Sequence, residues 1–180
     1  MTEKERRKQH HDLLFAARRS VRYHMHRQRF LDRIGNWGAV ATAIMGSATF
    51  AALLADYEGL SAYTALATAV LSAGEIVFRP GRHARHHNEL AREFVVLEQQ
   101  ALRSGPDPDP ETLLALQTRR LDIEAGEPPV YRVLDAVCHD EVLRAHGYPR
   151  KHRSNTTGLQ RFMMNVLDVY PGRLEKRIHV

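Results

Sequence analysis

Eleven histidines and a single cysteine are the residues of this 180-residue chain best suited to holding a metal. His83, His86 and His87 form an H-x-x-H-H set, and His24 and His26 stand two apart. A zinc site needs three or four convergent ligands with few competing charges. Here the histidines are interleaved with Arg82 and Arg85, and there is no Cys pair. The set reads as a solvated or lipid-facing basic cluster, so no metal ligand is assigned. Cys138 falls on the apolar stripe of a helix, where a buried thiol is the default. Asp140 and Glu141 read as ordinary helix surface. The chain carries no P-loop, G-x-G-x-x-G, G-x-S-x-G or H-E-x-x-H pattern. The expectation is a protein that is not an enzyme, with no catalytic residue and no cofactor.

The elements that carry these residues are read from the distribution of charge. Residues 1–33 hold ten Lys/Arg against four acids, and residues 79–180 hold sixteen against fourteen. Between them, Ile34 to Phe78 contains no Lys or Arg, and its only formal charges are Asp56, Glu58 and Glu75. The mean hydropathy of −0.42 averages over this contrast and hides it. Ordinary Gly and Pro contents exclude collagen-like and wholly disordered chains, and one cysteine excludes an internal disulfide framework.

Ile34–Ala55 is uncharged, and as a helix it reaches about 33 Å, enough to cross a hydrocarbon core of about 30 Å. Asp56–Gly59 forms a polar turn, and Leu60–Phe78 is apolar except for Glu75. The two spans are therefore antiparallel. Basic residues flank the hairpin on both outer sides, which places both termini in the cytoplasm and the turn outside. A signal peptide fits poorly, because its basic region would be 33 residues long and a second apolar segment follows, so the hairpin is expected to be uncleaved. A hairpin buried in a soluble α-protein competes with this reading, since both segments are rich in Ala and Gly. However, a soluble hairpin needs a polar face to solvate.

Small residues recur every four positions, at Gly38, Thr42 and Gly46 in the first span and at Ser61, Ala65, Ala69 and Ala73 in the second. Such stripes allow the close backbone approach through which membrane helices associate. They could pack one hairpin or join several into an oligomer. Polar groups available for a pore wall are Thr42, Ser47, Thr49, Thr64, Thr68 and Ser72, with Glu75 the one ionisable residue inside either span. Glu75 could face a lumen and favour cations, or snorkel to the interface beside Arg79 or Arg82.

The flanks are helical. Residues 3–33 lack Gly and Pro and carry an apolar stripe of Leu13, Leu14, Ala17, Val21 and His24. The basic faces on the two sides of the hairpin suit anionic headgroups, above all at Arg29, Arg33, Arg79 and Arg82, in preference to nucleic acid. A second helix runs from Ala84 to Arg103 with Leu90, Phe94, Leu97 and Ala101 on one face. SGPDPDP breaks it. Helices over Glu111–Ala125 and Val130–Ala145 follow, the latter with Val130, Leu134, Val137, Cys138 and Val142 as its buried stripe and Pro128–Pro129 suited to its first turn. A basic run then precedes an amphipathic segment, Leu159–Tyr170, which docks on the protein or lies on a membrane. The expected organisation is all-α: a basic helix over 1–33, a hairpin over 34–78 (spans 34–55 and 60–78), cytoplasmic helices over 79–147, and a tail over 148–180.

The order of these parts, with RRLDIEAGEPPVYRVLDAVCHDEVLRAHG (Arg119–Gly147) behind the hairpin, resembles the SLATT domain family. The family pattern falls on Glu124, Glu127, Pro128, Pro129, Tyr131, Leu134, Asp135, Cys138 and Glu141, while Asp140 departs from it in standing where Asn is expected. The resemblance covers about residues 10–147. It implies a two-transmembrane effector of antiviral conflict systems that oligomerises and permeabilises the inner membrane when a partner senses infection. It also implies a partner encoded nearby, a cyclic-oligonucleotide synthase of the SMODS nucleotidyltransferase type, a SLOG nucleotide sensor or a reverse transcriptase. Two other readings stay open: a membrane-anchored adaptor that recruits a partner through its cytoplasmic helices, and a soluble helical protein that binds nucleic acid.

Overall fold

The first proline of the chain is Pro80, and Gly35, Gly38 and Gly46 each disfavour a helix by only about 1 kcal/mol relative to Ala. Nothing therefore breaks the first helix at residue 33. In the computed structural model, which describes residues 1–55, 57–149, 154 and 156–168, α1 runs unbroken over Glu3–Leu54. It is followed by α2 (Glu58–Phe78), α3 (Pro80–Arg103), α4 (Pro110–Glu124), α5 (Arg132–Ala145) and α6 (Gly158–Met163). No strand occurs among the described residues, so the architecture is all-α.

The chain divides into two compact units, one made of Met1–His26 with the chain from His87 onward, the other of Arg27–His86. In the first, apolar residues at helical spacing meet in a core. Leu13 and Ala17 of α1 pack with Leu90, Phe94, Leu97 and Ala101 of α3 and with Leu116 and Ile123 of α4. A second cluster joins Tyr23 of α1 to Leu134 and Cys138 of α5, with Tyr131 and Met164 against it. Ion pairs add to this, from Arg6 to Asp107 of the α3–α4 connection at 3.1 Å and from Arg18 to Glu98 of α3 at 2.7 Å.

The second unit holds the expected hairpin segments. Here α2 is capped by Arg79, which takes a left-handed conformation (φ 43°) and donates its N–H to the Glu75 carbonyl. Pro80 then opens α3, where its missing N–H is not required, and the residue before a proline is in any case disfavoured in the α region. Asp56 of the turn lies outside the described residues.

α5 and the tail helix depart most from expectation. α5 begins at Arg132 and not at Val130: Tyr131 is extended, and its N–H donates to the Tyr23 hydroxyl at 3.0 Å. Pro128 and Pro129 thus lie in the connection before α5, and Val130 is 44% exposed instead of part of the buried stripe. The tail helix is one short piece, Gly158–Met163, with Val169 and Tyr170 outside the described residues. It starts from a capping box of Thr157 and Gln160. Beyond it, the Asp168 carboxylate accepts from the N–H groups of Arg132 and Val133, at 3.0 and 3.1 Å, and so caps α5. Gln160 is buried and Met164 packs on the α5 core, whereas Leu159, Phe162, Val166 and Leu167 of the anticipated stripe face outward.

Candidate functional site

Four residues of α1, Arg19, Tyr23, His24 and His26, are spaced so that they lie along one side of the helix. Opposite them stand side chains of the Arg119–Gly147 segment. Asp135 pairs with Arg19 at 3.2 Å, an ion pair whose angle is too bent for a hydrogen bond. Burial holds the Asp135 carboxyl above its ordinary pKa, against the pull of Arg19. Leu134 and Cys138 pack on the Tyr23 ring. Glu141 takes hydrogen-bond contacts of 3.2 and 3.3 Å from His26 Nε2, and this contact holds its carboxyl below the usual range. Of the residues singled out in this segment, Glu127, Tyr131, Leu134, Asp135, Cys138 and Glu141 therefore converge on α1. Glu124 does not; it pairs along its own helix with Arg120 at 2.7 Å.

Glu127 completes a buried polar chain. Its carboxylate stands 3.0 Å from His24 Nε2, and His24 Nδ1 stands 2.9 Å from His87 Nδ1. The consistent assignment has His24 donating through Nε2–H to Glu127 and accepting at Nδ1 from His87 Nδ1–H. His24 is fully buried and stacks on Phe94, with ring centroids 5.7 Å apart. Hydrogen bonding of this kind is what makes a buried imidazole tolerable.

The histidine set of the sequence is accordingly split. His87 is buried with His24, while His83 and His86 are exposed. A different group converges instead. His26 Nε2, Cys138 Sγ and a Glu141 carboxylate oxygen lie within 4.8 Å of one another. Cys138 is wholly buried, and burial pushes its thiol pKa up. Spacing could not reveal this group, because α1 and α5 bring together His26 and Glu141 from 115 positions apart.

In the hairpin unit the small and hydroxyl residues of the two helices differ in exposure. On α2, Ser61 is buried and Thr64, Thr68 and Ser72 are partly shielded, whereas Ala65, Ala69 and Ala73 are exposed. An exact four-residue repeat drifts around a helix of 3.6 residues per turn, so a 3–4 alternation holds one face. On α1, Gly38, Thr42, Gly46 and Thr49 are partly shielded and Ser47 is exposed. The hydroxyls mostly turn onto their own helix: Ser47 donates to the Ala43 carbonyl, Thr49 to Met45 and Thr68 to Thr64, at 2.8–2.9 Å. The Glu75 carboxylate lies 3.8 Å from where a Cβ on Gly38 would stand, which places it between the two helices. Arg79 turns its Nε–H back to the Ile76 carbonyl. Arg29, Arg33, Arg79 and Arg82 are all exposed.

Comparison with known proteins finds no matching family model, no matching curated protein and no matching solved structure.

Proposed function

We propose that this chain is an oligomeric effector lodged in a bacterial inner membrane, which opens a pore or disrupts the bilayer when a partner triggers it in antiviral defence. The observation that carries this reading is an apolar surface with nothing over it. In the most apolar stretch of each long helix only 6% of residues are buried. Trp37, Ile44, Phe50, Tyr63, Leu66, Val70 and Phe78 are each more than half exposed. A helix that is apolar on its outer face requires lipid or a partner there. The four exposed arginines near Ile34 and Phe78 supply contacts for anionic headgroups, and the positive-inside rule then puts both termini in the cytoplasm.

Oligomerisation draws support from Ala65, Ala69 and Ala73, a small-residue stripe left free for a second copy. The resemblance of Arg119–Gly147 to the SLATT family supplies the defence role and a nearby nucleotidyltransferase or reverse transcriptase as partner. No catalytic role is assigned to any residue. Direct nucleic-acid binding is disfavoured, because Arg18 and Arg19 on the basic face of α1 are committed to Glu98 and Asp135.

The adaptor reading rests on the first unit, which has its own core and could recruit a partner while the hairpin only anchors. Exchanging residues 34–78 for an unrelated hairpin separates the two: an adaptor keeps its activity and a pore loses it. The direct test is a membrane-potential dye in cells expressing the chain with its genomic neighbours under phage challenge. Depolarisation that shifts in ion selectivity with Glu75→Ala is the expected result. Unchanged potential under full activation rejects the pore.

A further inference from the structure

We propose that His26, Cys138 and Glu141 form a binding site for a divalent transition-metal ion of the zinc type, clamping α1 to α5. This inference does not depend on what the hairpin does. Cys138 and Glu141 are three residues apart on α5, so both side chains leave the same face, and α1 delivers His26 opposite them.

The geometry is close to that of a tetrahedral centre. With ligand bonds of about 2.0–2.3 Å, neighbouring ligand atoms in such a centre stand about 3.3–3.7 Å apart. His26 Nε2 already lies 3.2 and 3.3 Å from the two Glu141 oxygens. All three donor atoms fall within 4.8 Å, so the thiol needs an approach of only about 1 Å, within reach of a rotamer adjustment.

The donor set selects the ion. Thiolate, imidazole and carboxylate together suit zinc or cobalt, while calcium and magnesium prefer oxygen alone. Three protein ligands leave the fourth position to water. As the ion binds, the Cys138 thiol gives up its proton to solvent, and thiolate plus carboxylate balance the divalent charge. The two α5 ligands have Arg19, Arg22 and Arg144 near them and Asp135 as well, so a locally neutral complex leaves the surrounding charge balance unchanged. The competing arrangement is a plain His26–Glu141 ion pair beside a core thiol packed on Tyr23, and the two differ in whether an ion binds.

The test uses the full-length protein in detergent, stripped with a chelator and titrated with Co²⁺. One equivalent should bind, giving the intense visible bands of tetrahedral cobalt and a thiolate-to-cobalt charge-transfer band, both bleached by Zn²⁺. Loss of a direct ligand should weaken binding by more than about tenfold, since even losing an outer-shell partner does as much. Cys138→Ser should abolish the charge-transfer band. Glu141→Gln, at a partly exposed position, should weaken Co²⁺ binding with the helical circular dichroism unchanged, and it decides the matter if Cys138→Ser fails to fold. The double variant His83→Ala/His86→Ala should bind as the parent does. No charge-transfer band in the folded parent, binding retained in Glu141→Gln, or binding lost with His83 and His86 would each overturn the site.

Discussion

The two units of this chain use the same amino acids in opposite ways. In the unit built from both ends of the sequence, Leu13, Phe94, Leu97 and Leu134 are buried, and His24 and Glu127 satisfy one another within it. In the unit over Arg27–His86, Leu66, Val70 and Phe78 face outward, and the hydroxyls of Thr49 and Thr68 are satisfied on their own helices. The first arrangement suits water, where burying apolar area is the driving force. The second suits a solvent that is itself apolar, in which backbone and side-chain polar groups must be satisfied locally. One helix, α1, takes part in both.

This contrast can be broken at chosen positions. The largest effect is expected at Phe94→Ala, which should destabilise the first unit by about 3–5 kcal/mol, read from denaturant unfolding of the detergent-solubilised protein. Next comes a matched pair. Leu66 in α2 and Leu114 in α4 are almost equally exposed, at 64% and 63%. Leu66→Arg should disfavour membrane insertion by about 2.5–3.5 kcal/mol and shift protein out of the membrane pellet. Leu114→Arg should change stability by no more than about 0.5 kcal/mol and leave the pellet unaltered. Equal effects of the two substitutions would erase the distinction between the units.

A smaller loss, about 1–3 kcal/mol, is expected for Glu127→Ala, which leaves the buried His24 Nε2–H without its acceptor. A thermal melt of the first unit's helical signal checks it. The least effect concerns pH. Side-chain and backbone hydrogen bonds from Thr112 hold the exposed Asp109 carboxyl below its ordinary value, where it caps α4. A depressed folded-state value means that this stabilisation is present above the unfolded value and fades as pH falls through the folded one. Asp109→Asn should flatten that acid limb slightly in a pH series of melts.

Much of the fold is legible in the sequence because it rests on periodicity. Leu90, Phe94, Leu97 and Ala101 repeat at helical spacing and are buried together, and SGPDPDP ends α3 as prolines must. What periodicity could not supply is anything set by contacts distant in sequence. Tyr131 is held extended by the Tyr23 hydroxyl, which delays α5 past Pro128 and Pro129. Asp168 caps α5 from the tail, and the apolar side of Leu159–Leu167 is turned away from the protein. Periodicity also does not say which face of α2 meets α1: within one copy Ser61, Thr64, Thr68 and Ser72 are the shielded residues, while Ala65, Ala69 and Ala73 are exposed. Periodicity puts His24 on the apolar stripe of α1 and Leu134 and Cys138 on that of α5, and all three are buried. It does not show that these stripes meet in one seam, whose two sides are more than a hundred residues apart.

Alkaline carbonate extraction of membranes from expressing cells shows whether residues 34–78 reside among acyl chains. The chain should stay in the washed pellet and enter solution only with detergent. Release into the carbonate supernatant as a helical, monodisperse species would contradict that placement.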